Sequence, residues 1–374
     1  MKILFNNTIF FNQKVGGISR YICCLGNELI NLNLDVKIVA PIFKNIYLKN
    51  FPGKNFRGTY FPRYPMYNFL EKYSNFILKK NILKFSPDII HDTYYSKNIV
   101  FTKDSKKIIT VHDLIHEKYS DSYKKSEEII NLKKTAFKNC NHFICVSNNT
   151  KKDLIEYYKI PENKISVIYH GANHLLKYQN YEEKNFFYKE KNKKGKVYEK
   201  PYILYVGKRS KYKNFNLIID VFSKSKKLSK DFDIICFGGE KFSKEENEKF
   251  YKLNIVNNLK NVNQSDDELK NYYLKARALI FPSLYEGFGL PLVESMSLGC
   301  PIFCSNTSSM PEICGNAAIY FNPLEVEDLL HKLENNLYSE KNLSNLISKG
   351  YKEINKFSWK KAAMETLKVY QYSS

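Results

Sequence analysis

The stretch from Ala278 to Cys304 leaves few architectures open to this chain. Ala278-Leu-Ile-Phe281 is an apolar run of the kind that a buried parallel strand requires. A loop follows in which Gly287 and Gly289 let bare main chain approach a ligand closely. Pro291 suits the first turn of a helix, where its missing N–H leaves nothing unsatisfied. Gly299 is a helix stop, and Pro301-Ile-Phe-Cys304 reads as the next strand. The open amides at the start of that helix, with the positive end of its dipole, form a site for a phosphate or a sugar oxygen. Glu286 and Glu294 bracket the loop, the second placed on the first helical turn. Neither is needed to build a turn, although their spacing alone also fits an ordinary junction with a capping glutamate.

The same alternation runs through the rest of the chain. Lys2-Ile-Leu-Phe5 is a first strand, Val15-Gly16-Gly17 a loop, and Ile22, Leu25, Leu29 and Leu32 recur at helical spacing before the strand Asp35–Ala40. This is a Rossmann-like opening without G-x-G-x-x-G, so a dinucleotide fingerprint is not supported. Asp88–His91, Lys107–Asp113 and His142–Ser147 are further apolar runs at helix-length intervals, the pattern of a parallel sheet with crossovers. His112 closes the second run, at the carboxyl end of a strand, where open α/β sheets place ligands. Asp113 either orients its imidazole or caps the next turn, and His116 is expected at the rim. Residues 174–200 are polar and highly charged and read as a linker. Tyr202-Ile-Leu-Tyr-Val-Gly207 then restarts the pattern. Lys208, Arg209, Lys211 and Lys213 follow before Asn214, and a helix starts near Phe215. Cations beside a helix start that already favours anions make a diphosphate clamp. Asp231-Phe-Asp233 formally matches the D-x-D of metal-dependent enzymes, but it precedes its strand and is read as chance.

At 374 residues the chain can bury two cores. No stretch approaches the ~18 apolar residues that cross a bilayer, and the polar residues soon after Phe5 argue against a signal peptide. Eight scattered cysteines without C-x-x-C pairs disfavour zinc or a disulfide framework and point to a reducing cytoplasm. The net charge of +21 fits phosphates, nucleic acid or an anionic membrane surface. An A/T-rich coding bias toward Lys, Asn, Ile, Tyr and Phe explains it equally well. Residues 43–85 look the least regular. There basic residues, among them Lys72, Lys79, Lys80 and Lys84, interleave with aromatics against the single acid Glu71. That suits an interfacial membrane surface or stacking on nucleic acid, the plainer alternative being a partly buried loop-helix excursion with a solvated Lys face.

Glu286-Gly-Phe-Gly-Leu-Pro-Leu-Val-Glu294, with Tyr285 and Pro282-Ser283 before it and Pro311-Glu312 after it, resembles the E-x7-E motif of retaining, metal-independent glycosyltransferases of the GT-B fold, family four. Gly207, Arg209, Lys213 and Asn214 match that family's Gly-x-Arg-x-x-x-Lys-Asn pattern. Thr110–Leu114 resembles its histidine block, and the helix carrying Trp359 resembles its last helix. The resemblance implies an α/β fold of two Rossmann-like domains with parallel sheets facing across a cleft. Residues 1–178 form the acceptor side, completed by 357–374; 179–200 are the linker, and 201–356 bind the nucleotide-sugar. It implies that Glu294 holds the ribose, that Glu286 and His112 approach the donor sugar, and that Arg209 and Lys213 neutralise the leaving diphosphate. Gly16, Gly17 and Gly207 and the backbone of Gly287, Phe288, Gly289 and Leu290 are implied donor contacts. The expected activity is hexosyl transfer, GDP-mannose being the favoured donor because the Gly-Gly-Ile-Ser-Arg-Tyr and Thr-Val-His-Asp-Leu blocks resemble O-antigen-type mannosyltransferases. The expected acceptor is a saccharide or lipid-linked saccharide, with no metal, no cofactor and no nucleic-acid partner, in polysaccharide biosynthesis. A UDP-sugar donor, an epimerase or phosphorylase of the same fold, and a basic nucleic-acid-binding protein are the alternatives.

Overall fold

Each apolar run noted above becomes a strand with both faces covered. The computed structural model describes residues 1–373 except 65, 98–101, 103, 124, 173–199, 264 and 265. The described chain divides into two units, Met1–Gly171 with Ser358–Ser374, and Ala172–Phe357. The expected boundary at 178 and the linker 179–200, Lys200 apart, lie outside the described residues.

The first unit holds seven strands: β1 Lys2–Phe5, β2 Asp35–Phe43, β3 Phe56–Tyr60, β4 Ile89–Asp92, β5 Lys106–Val111, β6 His142–Cys145 and β7 Ile165–Val167. All pair in parallel in the order β3-β2-β1-β4-β5-β6-β7. Ile3, Leu4 and Phe5 are all fully buried, so β1 has no solvent face and no polar alternation. Residues 43–85 are more regular than expected. They supply the edge strand β3 and the 19-residue helix Tyr67–Phe85. The helix Trp359–Ser373 packs Trp359, Ala362, Ala363 and Tyr370 into the same core as Tyr21, Ile22 and Leu25 of the helix Gly17–Asn31. Burying side chains such as Ile22 and Leu25 contributes about 1.5–3 kcal/mol each, which ties the last helix to the helix Gly17–Asn31.

The second unit has six strands: β8 Tyr202–Val206, β9 Asp233–Phe237, β10 Leu259–Val262, β11 Ala278–Phe281, β12 Ile302–Ser305 and β13 Ala318–Phe321. They too are parallel, in the order β10-β9-β8-β11-β12-β13. Both sheets therefore reverse direction once, between β1 and β4 and between β8 and β11. In doubly wound sheets the carboxyl ends of the two strands at that reversal open the ligand crevice. Gly207 follows β8 directly, and the loop to Gly289 follows β11. The topology itself thus brings together, within the second unit, two motifs some 80 residues apart in sequence (207 against 286).

Candidate functional site

The loop after β11 is held from three sides. The Leu284 amide donates to the Tyr212 carbonyl at 2.7 Å, and Thr307 Oγ1 donates to the Leu284 carbonyl at 3.1 Å. The Glu286 amide donates to Ser308 Oγ at 2.9 Å. Ser309 Oγ lies 2.9 Å from the Glu286 carbonyl and 3.0 Å from that of Phe288. Gly289 then takes φ +102°, where a Cβ would also come within 2.8 Å of Leu292 Cδ1, so glycine is required. The helix Leu290–Ser297 starts there with Pro291 in its first turn and no side-chain cap among the described residues. The main chain from Gly287 to Leu290 is thereby fixed at a helix N-terminus, an arrangement suited to anions.

Glu286 accepts from Lys213 Nζ at 2.6 Å, with both side chains largely but not wholly shielded (13% and 15% exposed). Glu294 is the fifth residue of its helix, hence on the second turn and not the first as expected. It is buried, and Tyr273 Oη donates to its Oε2 at 2.9 Å. Arg209 does not share a partner with Lys213. Its Nε and Nη2 form a fork on Glu246, at 2.7 and 3.2 Å, and Nη2 also donates to the carbonyls of Glu240 (2.8 Å) and Lys241 (3.2 Å). The guanidinium lies 4.6 Å from the Phe242 ring centroid. Burial raises the Glu246 carboxyl pKa, but the Arg209 fork and the Ser243 amide outweigh it and hold the group below the usual range. Arg209 Nη1 is shielded and meets no acceptor among the described residues. It faces the Gly238–Gly239 turn, where both φ angles are near +80° and a Cβ on Gly239 would sit 3.5 Å from it.

In the first unit, Gly16 precedes the helix Gly17–Asn31 and lies against Gln13, whose Oε1 accepts from the Ser19 amide and hydroxyl. His112 follows β5 immediately. Its ring meets Tyr21 edge-on at 5.2 Å and stacks on His170 at 5.7 Å. Burial lowers its pKa to about 4 against the opposing pull of Asp113, so the imidazole is neutral at pH 7. Asp113 accepts from the Ile115 amide at 3.2 Å, a turn-capping contact. His116 is half-buried beside Tyr123. Behind His112 runs a chain of hydrogen bonds, Tyr21 Oη to Thr110 (3.0 Å), Thr110 to His91 Nε2 (2.8 Å) and His91 Nδ1 to Tyr370 Oη (2.6 Å). Asp233 of the D-x-D pairs with Lys260, and Asp231 accepts from Tyr338. No group of three His, Cys, Asp or Glu side chains among the described residues is arranged to hold a metal ion.

Residues 186–353 match the family described as glycosyl transferases group 1, and residues 15–174 match glycosyltransferase family 4. The chain thus carries a group 1 glycosyl transferase domain over residues 186–353 and a glycosyltransferase family 4 domain over residues 15–174. It is 32% identical to the O-antigen chain mannosyltransferase RfbU of Salmonella typhimurium over 219 residues, 58% of this chain and 56% of that one. That match spans little more than half the length of the curated relative. An uncharacterized glycosyltransferase of Methanocaldococcus jannaschii is 27% identical over 387 residues, covering 99% and 98% of the two chains. Sucrose-phosphate synthase from Thermosynechococcus elongatus superposes with a TM-score of 0.76 at 18% identity, over 100% and 99% of the chains. The fold is GT-B, two units each built on a parallel sheet with helices around it.

The second unit gathers Gly207, Lys213, Glu286 and the Gly287–Leu290 backbone at one sheet reversal, with Glu294 behind them. Arg209 belongs to the same edge but is anchored by Glu246. Sequence reasoning missed Glu246, Tyr273, Ser308 and Ser309. Ser243-x-x-Glu246 was visible as a capping box, and both its hydrogen bonds form (2.8 and 3.1 Å). Its second duty toward Arg209 has no local signal.

Proposed function

We propose that the protein transfers a hexose from a nucleotide-sugar to a saccharide or lipid-linked saccharide, with retention of configuration and without a divalent metal. The carrying observation is the Lys213–Glu286 pair on the rim of a helix N-terminus, with Arg209 on the adjoining turn. As the bond between C1 and the phosphate oxygen breaks, negative charge grows on the diphosphate. Lys213, Arg209 Nη1 and the Gly287–Leu290 amides are donors suited to that charge, fixed before it appears. The acceptor oxygen bonds to C1 on the face the diphosphate leaves, and its proton passes to the departing phosphate oxygen. No carboxylate is then required as nucleophile. Glu286 is assigned to the donor sugar, Glu294 to the ribose, and Gly16, Gly17 and Gly207 to close approach of donor oxygens. His112, neutral at pH 7, is suited to a hydrogen bond with a sugar hydroxyl.

GDP-mannose is the donor we favour, supported by likeness to an O-antigen chain mannosyltransferase. A thermal-shift panel of nucleotide-sugars, followed by transfer assays on the ligands that stabilise, tests both choices. Stabilisation by GDP-mannose, with mannosyl transfer unchanged in excess EDTA and an α-configured product from the α-donor, is expected. Preference for a UDP-sugar would replace the donor. Loss of transfer in EDTA with rescue by manganese would overturn the metal-free mechanism.

A further inference from the structure

The helix Tyr67–Phe85 is apolar on two opposite faces. Ser74, Leu78, Ile82 and Phe85 are buried, the last three against Leu4, Val39 and Ile90 of the sheet. A helix turns about 100° per residue. That places Phe69, Tyr73, Phe76 and Leu83 on the far side, in a strip about 80° wide. They are 62, 50, 55 and 62% exposed. Lys80 sits within the strip, its Nζ 4.6 Å from the Phe76 ring centroid, and Lys72, Lys79 and Lys84 are exposed along its margins. Single exposed apolar side chains are ordinary, but a line of them over four turns marks an interaction surface.

We propose that this face seats the protein on a bilayer rich in anionic phospholipid. Aromatic rings and Leu83 enter at headgroup depth, while the lysines lay their stems along the boundary and keep their ammonium groups among the phosphates. The charge chooses the occupant. A second copy docking isologously would bring the lysine margins of one helix against those of the other. A nucleic acid would need a groove in which bases stack, and this strip is the convex side of a helix. No helix among the described residues is long and apolar enough to cross a membrane, so the contact is one of lying on the surface.

The test is flotation of the full chain with phosphatidylglycerol/phosphatidylcholine vesicles, and with phosphatidylcholine alone, at low and high salt. No nucleotide-sugar is present, so docking is read separately from the proposed transfer. Each basic side chain near an anionic surface strengthens binding roughly fivefold, screened by salt. Replacing Lys72, Lys79, Lys80 and Lys84 by Gln should therefore weaken partition at least about thirtyfold. Phe69→Ser/Phe76→Ser/Leu83→Ser should weaken it at least about tenfold on the same vesicles. All seven positions are exposed, so thermal melting should be unchanged. Lys224→Gln/Lys226→Gln/Lys227→Gln, in the second unit, should leave partition within about threefold. Equal loss from that second-unit variant, or full binding by the apolar-strip variant, would reduce the effect to diffuse charge and overturn the proposal. So would a dimer in sedimentation, or an oligonucleotide complex, that the apolar-strip variant abolishes.

Discussion

The guanidinium of Arg209 gives the sharpest test of the clamp, because the structure separates its anchor from its working edge. Nε and Nη2 are tied down by four hydrogen bonds, two to the Glu246 carboxylate and two to the carbonyls of Glu240 and Lys241. Nη1 alone makes no hydrogen bond among the described residues. Losing a donor aimed at developing charge costs about 2–4 kcal/mol, so Arg209→Ala should lower kcat/KM by roughly 30- to 1000-fold. Glu246→Ala leaves the two carbonyl anchors in place and removes the charge-assisted half of the fork. About half the effect should follow, ~1–2 kcal/mol or roughly 5- to 30-fold. The same variant also loses the capping box of the helix Lys244–Lys252 and should melt lower by an amount near 1 kcal/mol. A double-mutant cycle separates the two consequences. In an Arg209→Ala background, Glu246→Ala should cost stability again but no further activity. Arg209→Lys should resemble Arg209→Ala, since an ammonium cannot fill the fork. An increase in turnover on Glu246→Ala would show the carboxylate competing with the donor phosphates for Arg209, and activity losses that add in the cycle would show the two residues acting apart. Either result refutes the anchoring role.

Three further outcomes are expected. Glu286→Gln should lower turnover while leaving nucleoside diphosphate affinity within about threefold, and Lys213→Ala should cost about 2–4 kcal/mol in kcat/KM; calorimetry showing equal loss of diphosphate affinity in Glu286→Gln and Glu294→Gln would mean the two roles are wrongly divided. Tyr273→Phe removes a donor from the buried Glu294 carboxylate, worth about 1.5–3 kcal/mol, and should weaken nucleoside diphosphate binding without changing how turnover depends on acceptor; unchanged diphosphate affinity would detach Tyr273 from the nucleotide. Burial lowers the His91 pKa from its ordinary value near 6.5 to about 3, with His112 adding to the effect. The unfolded chain then binds the extra proton, so stability is complete above pH 6.5 and is lost as the pH falls toward 3, on the order of 4 kcal/mol from this group. Urea midpoints across that window should show a shallower slope in His91→Gln, and an identical slope would refute the assignment.

Much of the frame was legible because parallel strands covered on both faces must be written as continuous apolar runs. Lys2–Phe5 and Ala278–Phe281 both became strands where the runs stood. The 43–85 region hid its helix for the opposite reason. Apolar residues on both the core face and the far face of Tyr67–Phe85 cancel the 3.6-residue period, leaving lysines and aromatics in no evident order. Strand β2 runs past the expected end at Ala40, although Pro41 removes a ladder donor there. The structure absorbs that proline at a register shift against β3 between Val39 and Ile42 and carries the strand on to Phe43.

At the site, the legible part was main chain and the illegible part was side-chain partnership. Gly289, Pro291 and the strand before them dictate where the loop goes, and each acts through its own local geometry. Arg209 to Glu246 and Lys213 to Glu286 join residues 37 and 73 positions apart, and no periodicity encodes such distances. What decides them is the sheet order, which sets β9 and β11 on either side of β8, so that three carboxyl-end loops meet. Glu246 enters from beyond β9 and Glu286 from beyond β11, one to each cation that follows β8. Two cations that would otherwise repel across one short turn are thus drawn to opposite neighbours. Each is held in position in advance, as the proposed stabilisation of a leaving diphosphate by fixed charge requires. Exchanging Glu246 and Arg209 between their positions would restore the pair but move the cation from β8 to β9. Transfer should then remain lost although the salt bridge has returned. A swap that regained activity would show that pairing alone, and not the placement of Arg209 beside Gly207, is what the site requires.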